Sequence, residues 1–146
     1  MSLAPLIPLK NCIAWIVTSK PENYANEVAK LLGINLLLSG IVGAGLDEKD
    51  TKTGLIKTAL ERANVASDQV IMLGDRHYDI LGALANKVLP VGALWGYGSR
   101  AELSSAGCKH FACTPKEFQQ QFVANTETAM RDARRSVADG STSSTT

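Results

Sequence analysis

The sequence predicts an α/β fold built on a parallel sheet, and three observations predict it. Short apolar runs alternate with segments of helical periodicity. The clearest runs are apolar on both faces, as strands covered by helices on both sides must be. The polar residues able to do chemistry gather where those runs stop, and in such sheets ligands sit beyond the carboxyl ends of the strands.

The elements follow in order. Cys12-Ile13-Ala14-Trp15-Ile16-Val17 is a continuous apolar run that stops at Thr18-Ser19-Lys20, which suits a buried parallel strand. Pro21 is expected to open a helix at its first position, where the missing N–H costs nothing. Tyr24, Ala25, Val28, Leu31 and Leu32 would form its apolar stripe, and Gly33 its stop. Residues 41–44 are a weak second strand and residues 47–51 a charged loop. Leu55, Ile56, Ala59, Leu60 and Ala63 mark the next helix. Val70-Ile71-Met72-Leu73 is the best strand and ends in Gly74-Asp75; a short helix with Ile80, Ala83 and Leu84 inward comes next. Residues 91–94 form another strand, leading into Trp95-Gly96-Tyr97-Gly98. Ser99-Arg100-Ala101-Glu102 and Thr114-Pro115-Lys116-Glu117 both read as capping boxes. The second would start a last helix carrying Phe118, Phe122, Ala129, Met130 and Ala133. Residues 1–11 read as a lead-in, 12–135 as one domain, and the Ser/Thr-rich 136–146 as a disordered tail.

The totals exclude several classes of function. Fifteen basic against fourteen acidic residues leave a charge of +1, so no global field draws the chain to nucleic acid or an anionic membrane. No apolar run approaches the length of a membrane span. Cys12, Cys108 and Cys113 are odd in number and form no C-x-x-C pair, which argues against a disulfide framework or zinc site. The expectation is a soluble, cytoplasmic protein.

Three strand ends carry the candidate chemistry. Thr18 and Ser19 combine hydroxyls with backbone N–H groups at a helix start, a good binder of phosphate oxygens; the competing reading is that Ser19 only caps the helix. Lys52, at the start of the second helix, could reach over the sheet end to a phosphate, or could be an ordinary surface lysine. Gly74-Asp75-Arg76-His77-Tyr78-Asp79 is the strongest feature. Its carboxylates, four residues apart, can converge within one helical turn, and two such charges need a cation between them. Magnesium is the natural hard cation for oxygen ligands, while a structural turn with Asp79 as a cap is the alternative. The 95–98 turn could line a pocket beside this site or be a plain turn. His77 and His110 belong to no metal-ligand spacing.

Taken in order, these pieces resemble the haloacid dehalogenase-like (HAD) superfamily, and within it the phosphoglycolate-phosphatase-like branch, from Cys12 to Phe122. Residues 16–21 resemble the family's second motif, with Thr18 as its phosphate-binding hydroxyl. Lys52 falls at the third-motif lysine. Residues 70–83 resemble the fourth motif, whose Gly-Asp-x-x-x-Asp pattern implies Mg2+ on Asp75 and Asp79. The resemblance implies a Rossmann-like core, a magnesium-dependent phosphatase activity, a small phosphorylated metabolite as substrate, and Lys52 and Thr18 as catalytic residues.

One departure matters as much. Family members open with a strand ending in Asp-x-Asp-x-Thr, whose first Asp attacks phosphorus, and a cap domain usually precedes the second motif. In this sequence the first acidic residue is Glu22, past the second motif. The resemblance therefore implies an incomplete core, without nucleophile strand or cap, and inactive alone. It also places the missing strand between those ending at Thr18 and Asp75, so either those two close up or a complementary chain or self-association fills the interval. The alternative is a non-catalytic module that binds a phosphorylated ligand or a protein. A receiver-like domain would need its acidic cluster before the Thr/Ser strand, and a dinucleotide fold a G-x-G-x-x-G after its first strand; the sequence has neither.

Overall fold

The computed structural model describes residues 13–45 and 50–123. The first strand, β1 (Trp15–Pro21), runs four residues past the apolar run, and Cys12 lies outside the described residues. Helix α1 (Glu22–Leu31) follows with Pro21 as its cap rather than its first residue, and Gly33 closes it at φ +71°. Only Ala29 of α1 is buried. Tyr24, Leu31 and Leu32 are exposed, so the expected inward stripe is corrected: most of it faces solvent.

A short 3₁₀ turn (Asn35–Leu37) leads to β2 (Gly40–Ala44), which pairs with β1 in parallel, Ile16 opposite Ile41 and Val17 opposite Val42. Helix α2 (Lys52–Ala63) is capped by Thr51, whose hydroxyl accepts from the Gly54 N–H. It buries Leu55, Ile56 and Ala59, as the periodicity requires. A 3₁₀ turn (Ser67–Gln69) then feeds β3 (Ile71–Gly74). Helix α3 (His77–Ala85) buries Ile80 and Ala83 completely, whereas Leu84 is 44% exposed, contrary to expectation.

β4 (Leu89–Ala93) is buried at every position. It is the middle strand of a parallel set β3-β4-β5, the last being the three-residue β5 (His110–Ala112). Between them α4 (Arg100–Ser105) is capped by Ser99, and after β5 comes α5 (Pro115–Phe118), capped by Thr114. The chain then continues as a π-helical stretch (Gln119–Val123), with Phe118 stacked on Phe122. Ala129, Met130, Ala133 and the tail lie outside the described residues.

All strand pairing is parallel, but it falls into two sheets, β1-β2 and β3-β4-β5, with no ladder joining β1 to β3. Helices α2 and α3 bind the halves. Buried Ile56, Ala83 and Val88 take Val17 from one side and Val70 and Met72 from the other. Among the described residues the sheet is thus in two parts, which fits the incomplete core that the resemblance implies. No described helix is long and apolar enough to cross a membrane.

Candidate active site

Lys52 links β1 to the turn that follows β3. Because Lys52 is the first residue of α2, its side chain can turn back over the sheet end. Its Nζ donates to the Val17 carbonyl (3.1 Å) and pairs with Asp79 Oδ1 (3.0 Å). Its side chain is only 14% exposed, which rules out the surface-lysine reading. Thr18 follows Val17 directly, so the expected hydroxyl stands one residue from the carbonyl that Lys52 holds. Thr18 Oγ1 accepts from the Lys20 N–H (3.2 Å). Ser19 is exposed within β1, and α1 has no side-chain cap, so Ser19 is not the cap considered above.

Asp79 is 7% exposed and is the third residue of α3. Its Oδ2 accepts from the backbone N–H of Asp75 (3.1 Å) and Arg76 (3.2 Å), while Oδ1 faces Lys52. Asp79 therefore closes the turn from inside, though as the residue reaching back rather than as the cap itself. Asp75 has a different environment: its Oδ2 accepts from the Tyr97 N–H (3.0 Å), and its backbone carbonyl accepts from the Gly98 N–H (2.9 Å). The 95–98 turn is therefore docked on Asp75.

Glycine is a steric requirement of this docking. A Cβ on Gly96 would stand 2.3 Å from Asp75 Cβ, and one on Gly98 would stand 2.1 Å from the Asp75 carbonyl oxygen. Real Cβ atoms do not approach that closely.

One important residue escaped the sequence reading. Glu102, expected to reach back to its own cap, sends its carboxylate across to the Asp75–Asp79 turn instead. Oε2 accepts from Arg76 Nε (3.0 Å) and the His77 N–H (3.0 Å), with His77 Nδ1 at 3.4 Å. The His77 N–H and then the Arg76 guanidinium hold the Glu102 carboxyl below its ordinary pKa; Glu102 in turn raises that of Arg76. The S-x-x-E spacing was the available signal, but it points equally to a local cap.

The donor set suits a magnesium ion in one mode only. Among the described residues no group of three or more His, Cys, Asp or Glu converges as a cage. Magnesium commonly takes one or two carboxylates and fills its octahedron with water and substrate phosphate; the turn carries two, Asp75 and Asp79, the latter bonded through both oxygens. The structure thus joins Lys52 to Asp79 and to the Val17 carbonyl beside Thr18, and Asp79 to the backbone of Asp75; the Thr18 hydroxyl bonds locally to the Lys20 N–H, and Ser19 is exposed.

Comparison with known proteins places the chain in a family. Residues 8–93 match the sequence model of the family described as haloacid dehalogenase-like hydrolase. A 5'-nucleotidase of Pseudomonas aeruginosa is 35% identical over 98 residues, which is 66% of this chain and 44% of that protein. A phosphoglycolate phosphatase of Colwellia psychrerythraea is 30% identical over 63% of this chain and 41% of its own length. Among solved structures, a predicted phosphatase from Clostridium acetobutylicum superposes with a TM-score of 0.72 at 34% identity, over 75% of this chain and 51% of that one. The chain spans about half the length of the relatives it matches.

Proposed function

We propose a function from the premise that this chain belongs to the haloacid dehalogenase-like hydrolases: it is the phosphate- and metal-binding part of a magnesium-dependent phosphomonoesterase core. The observation that carries this reading is Lys52, a shielded ammonium linking the Val17 carbonyl of β1 to Asp79 of the Asp75–Asp79 turn. Thr18 and Lys52 would bind phosphate oxygens, Ser19 would add a hydroxyl at the margin, and Asp75 and Asp79 would hold Mg2+. A bound magnesium would supply charge stabilisation at the phosphoryl group. Lys52 would then work as a fixed electrostatic donor, needing little reorganisation because its position is already set. The substrate class is a small phosphorylated metabolite. The free Cys108 and Cys113 fit a reducing, cytoplasmic setting.

No acid precedes Glu22 in the sequence, where the family's nucleophile would stand. The chain alone is therefore expected to bind rather than turn over. That expectation also favours the second reading, a non-catalytic module for phosphorylated ligands.

The test is magnesium-dependent hydrolysis of an aryl phosphate and of phosphoglycolate by the purified chain, with Asp75→Asn as control. Binding of Mg2+ is followed in parallel by thermal shift. The expected result is magnesium stabilisation lost in Asp75→Asn, with hydrolysis no faster than the control. Hydrolysis abolished by Asp75→Asn would show a complete catalytic set and overturn the incomplete-core reading. Equal magnesium stabilisation of both proteins would remove Asp75 from the metal site.

A further inference from the structure

Tyrosine and phenylalanine are distributed differently in this chain. Phe111, Phe118 and Phe122 are half-buried or buried around β5. Tyr24, Tyr78 and Tyr97 are all exposed, and each stands three or four residues after the carboxyl end of a strand, β1, β3 and β4 in turn. In parallel α/β sheets that is the end where ligands sit.

Two of the tyrosines belong to the frame of the Asp75–Asp79 turn. Tyr78 lies within it, 56% exposed, with its ring centre 3.8 Å from that of His77 and 5.7 Å from the Arg76 guanidinium carbon. Tyr97 donates its backbone N–H to Asp75 Oδ2 (3.0 Å), yet the residue is 81% exposed. That bond needs only a backbone N–H, so docking of the turn does not account for an aromatic ring at this position. Gly96 and Gly98 flank it, so neither sequence neighbour adds a side chain beside the ring. An exposed tyrosine offers a large, rigid contact face and loses little conformational freedom when a ligand covers it.

We propose that Tyr78 and Tyr97 form a platform for the organic half of the substrate, and that this half carries a planar ring; the proposal rests on the phosphate-site reading above. It narrows the substrate class from small phosphorylated metabolites to phosphomonoesters with an aromatic group. A π face stacks on tyrosine whatever its substituents, and the Arg76 guanidinium beside Tyr78 is a second planar, cationic surface. A saturated alcohol of the same bulk would gain burial but no stacking. The ring can stand directly on the ester oxygen, as in an aryl phosphate, or a sugar away, as in a nucleotide.

The experiment is equilibrium binding to the full chain in the presence of Mg2+, read by NMR titration. Phenyl phosphate is compared with cyclohexyl phosphate, and uridine 5'-monophosphate with ribose 5-phosphate. The expected result is that the aromatic member of at least one pair binds about tenfold tighter, the size of one stacked ring. The pair that shows the preference tells whether the ring stands on the ester oxygen or a sugar away. Tyr78→Leu and Tyr97→Leu should each reduce the preference without changing the affinity for the saturated partner, and the phenylalanine variants should keep it. Equal affinities within both pairs would overturn the proposal and leave the phosphate site standing. A preference that survives in the double leucine variant would also overturn it, placing the ring elsewhere. Failure of all four probes to bind would remove the proposal together with the phosphate-site reading.

Discussion

Lys52 shows how much one side chain decides. Its ammonium lies between a strand carbonyl and a carboxylate, and the two paired side chains are 14% and 10% exposed. Removing one partner of a shielded pair strands the other charge; full burial makes that cost 3–5 kcal/mol, and some access to water lowers it. Lys52→Met keeps the stem and removes the charge, so it should destabilise the chain by about 2 kcal/mol in urea unfolding and weaken vanadate binding. A change under about 0.5 kcal/mol would class Lys52 with solvated surface ion pairs. The glycines beside Asp75 act through space rather than charge. Gly98→Ala sets a Cβ against a backbone carbonyl, which cannot rotate away, and overpacking of this kind costs about 1–3 kcal/mol. The expected outcome is that loss in unfolding, together with changed NMR shifts at Asp75 and Tyr97. An unperturbed Asp75 would mean that the 95–98 turn is not docked there.

At the scale of elements, the turn between β3 and α3 is held from two directions, by Asp79 from within and by Glu102 from α4. The Glu102 carboxyl titrates below its ordinary value of 4.5. Its contribution is therefore complete above that value and is lost as pH falls through the lower folded value. Glu102→Gln should lower the urea midpoint at neutral pH, and its gap from the parent protein should close as pH falls below the ordinary carboxyl value of 4.5. A gap constant with pH would assign Glu102 a packing role only. The parent curve also contains Glu22, depressed by its bond to Arg62, so the comparison between the two proteins isolates Glu102. Such contacts mark where the sequence stopped being legible. Helix and strand positions were readable because burial follows periodicity, as with Leu55, Ile56 and Ala59 on α2. Lys52 and Asp75 were readable as positions, because one opens α2 and the other follows the end of β3. Glu102 was not, since a local cap and a contact 26 residues away share one spelling. β5 was missed because three residues are too few to show a period, and α1 misled because an apolar stripe does not reveal whether anything covers it.

The whole molecule raises the question of how two sheets without a common ladder behave as one unit. The joint is side-chain packing: Ile56, 3% exposed, lies with Ala83 and Val88 between Val17 on one side and Val70 and Met72 on the other. The polar link at Lys52 sits above that joint, at the sheet end. If hydrophobic packing dominates, deleting Ile56 must both destabilise and uncouple the halves. Truncating a buried Ile to Ala costs about 2–5 kcal/mol through lost transfer and the cavity left behind. Native-state hydrogen exchange should then separate the halves. In the parent protein β2 and β4 amides are expected to share one opening free energy, as a single cooperative unit would. In Ile56→Ala, β2 should open at lower free energy than β4, because β4 keeps β3, β5 and the cluster of Val91, Ala112, Phe118 and Phe122. A uniform drop across both strands would instead show that the halves are coupled chiefly at Lys52, and Lys52→Met should then produce the split that Ile56→Ala did not.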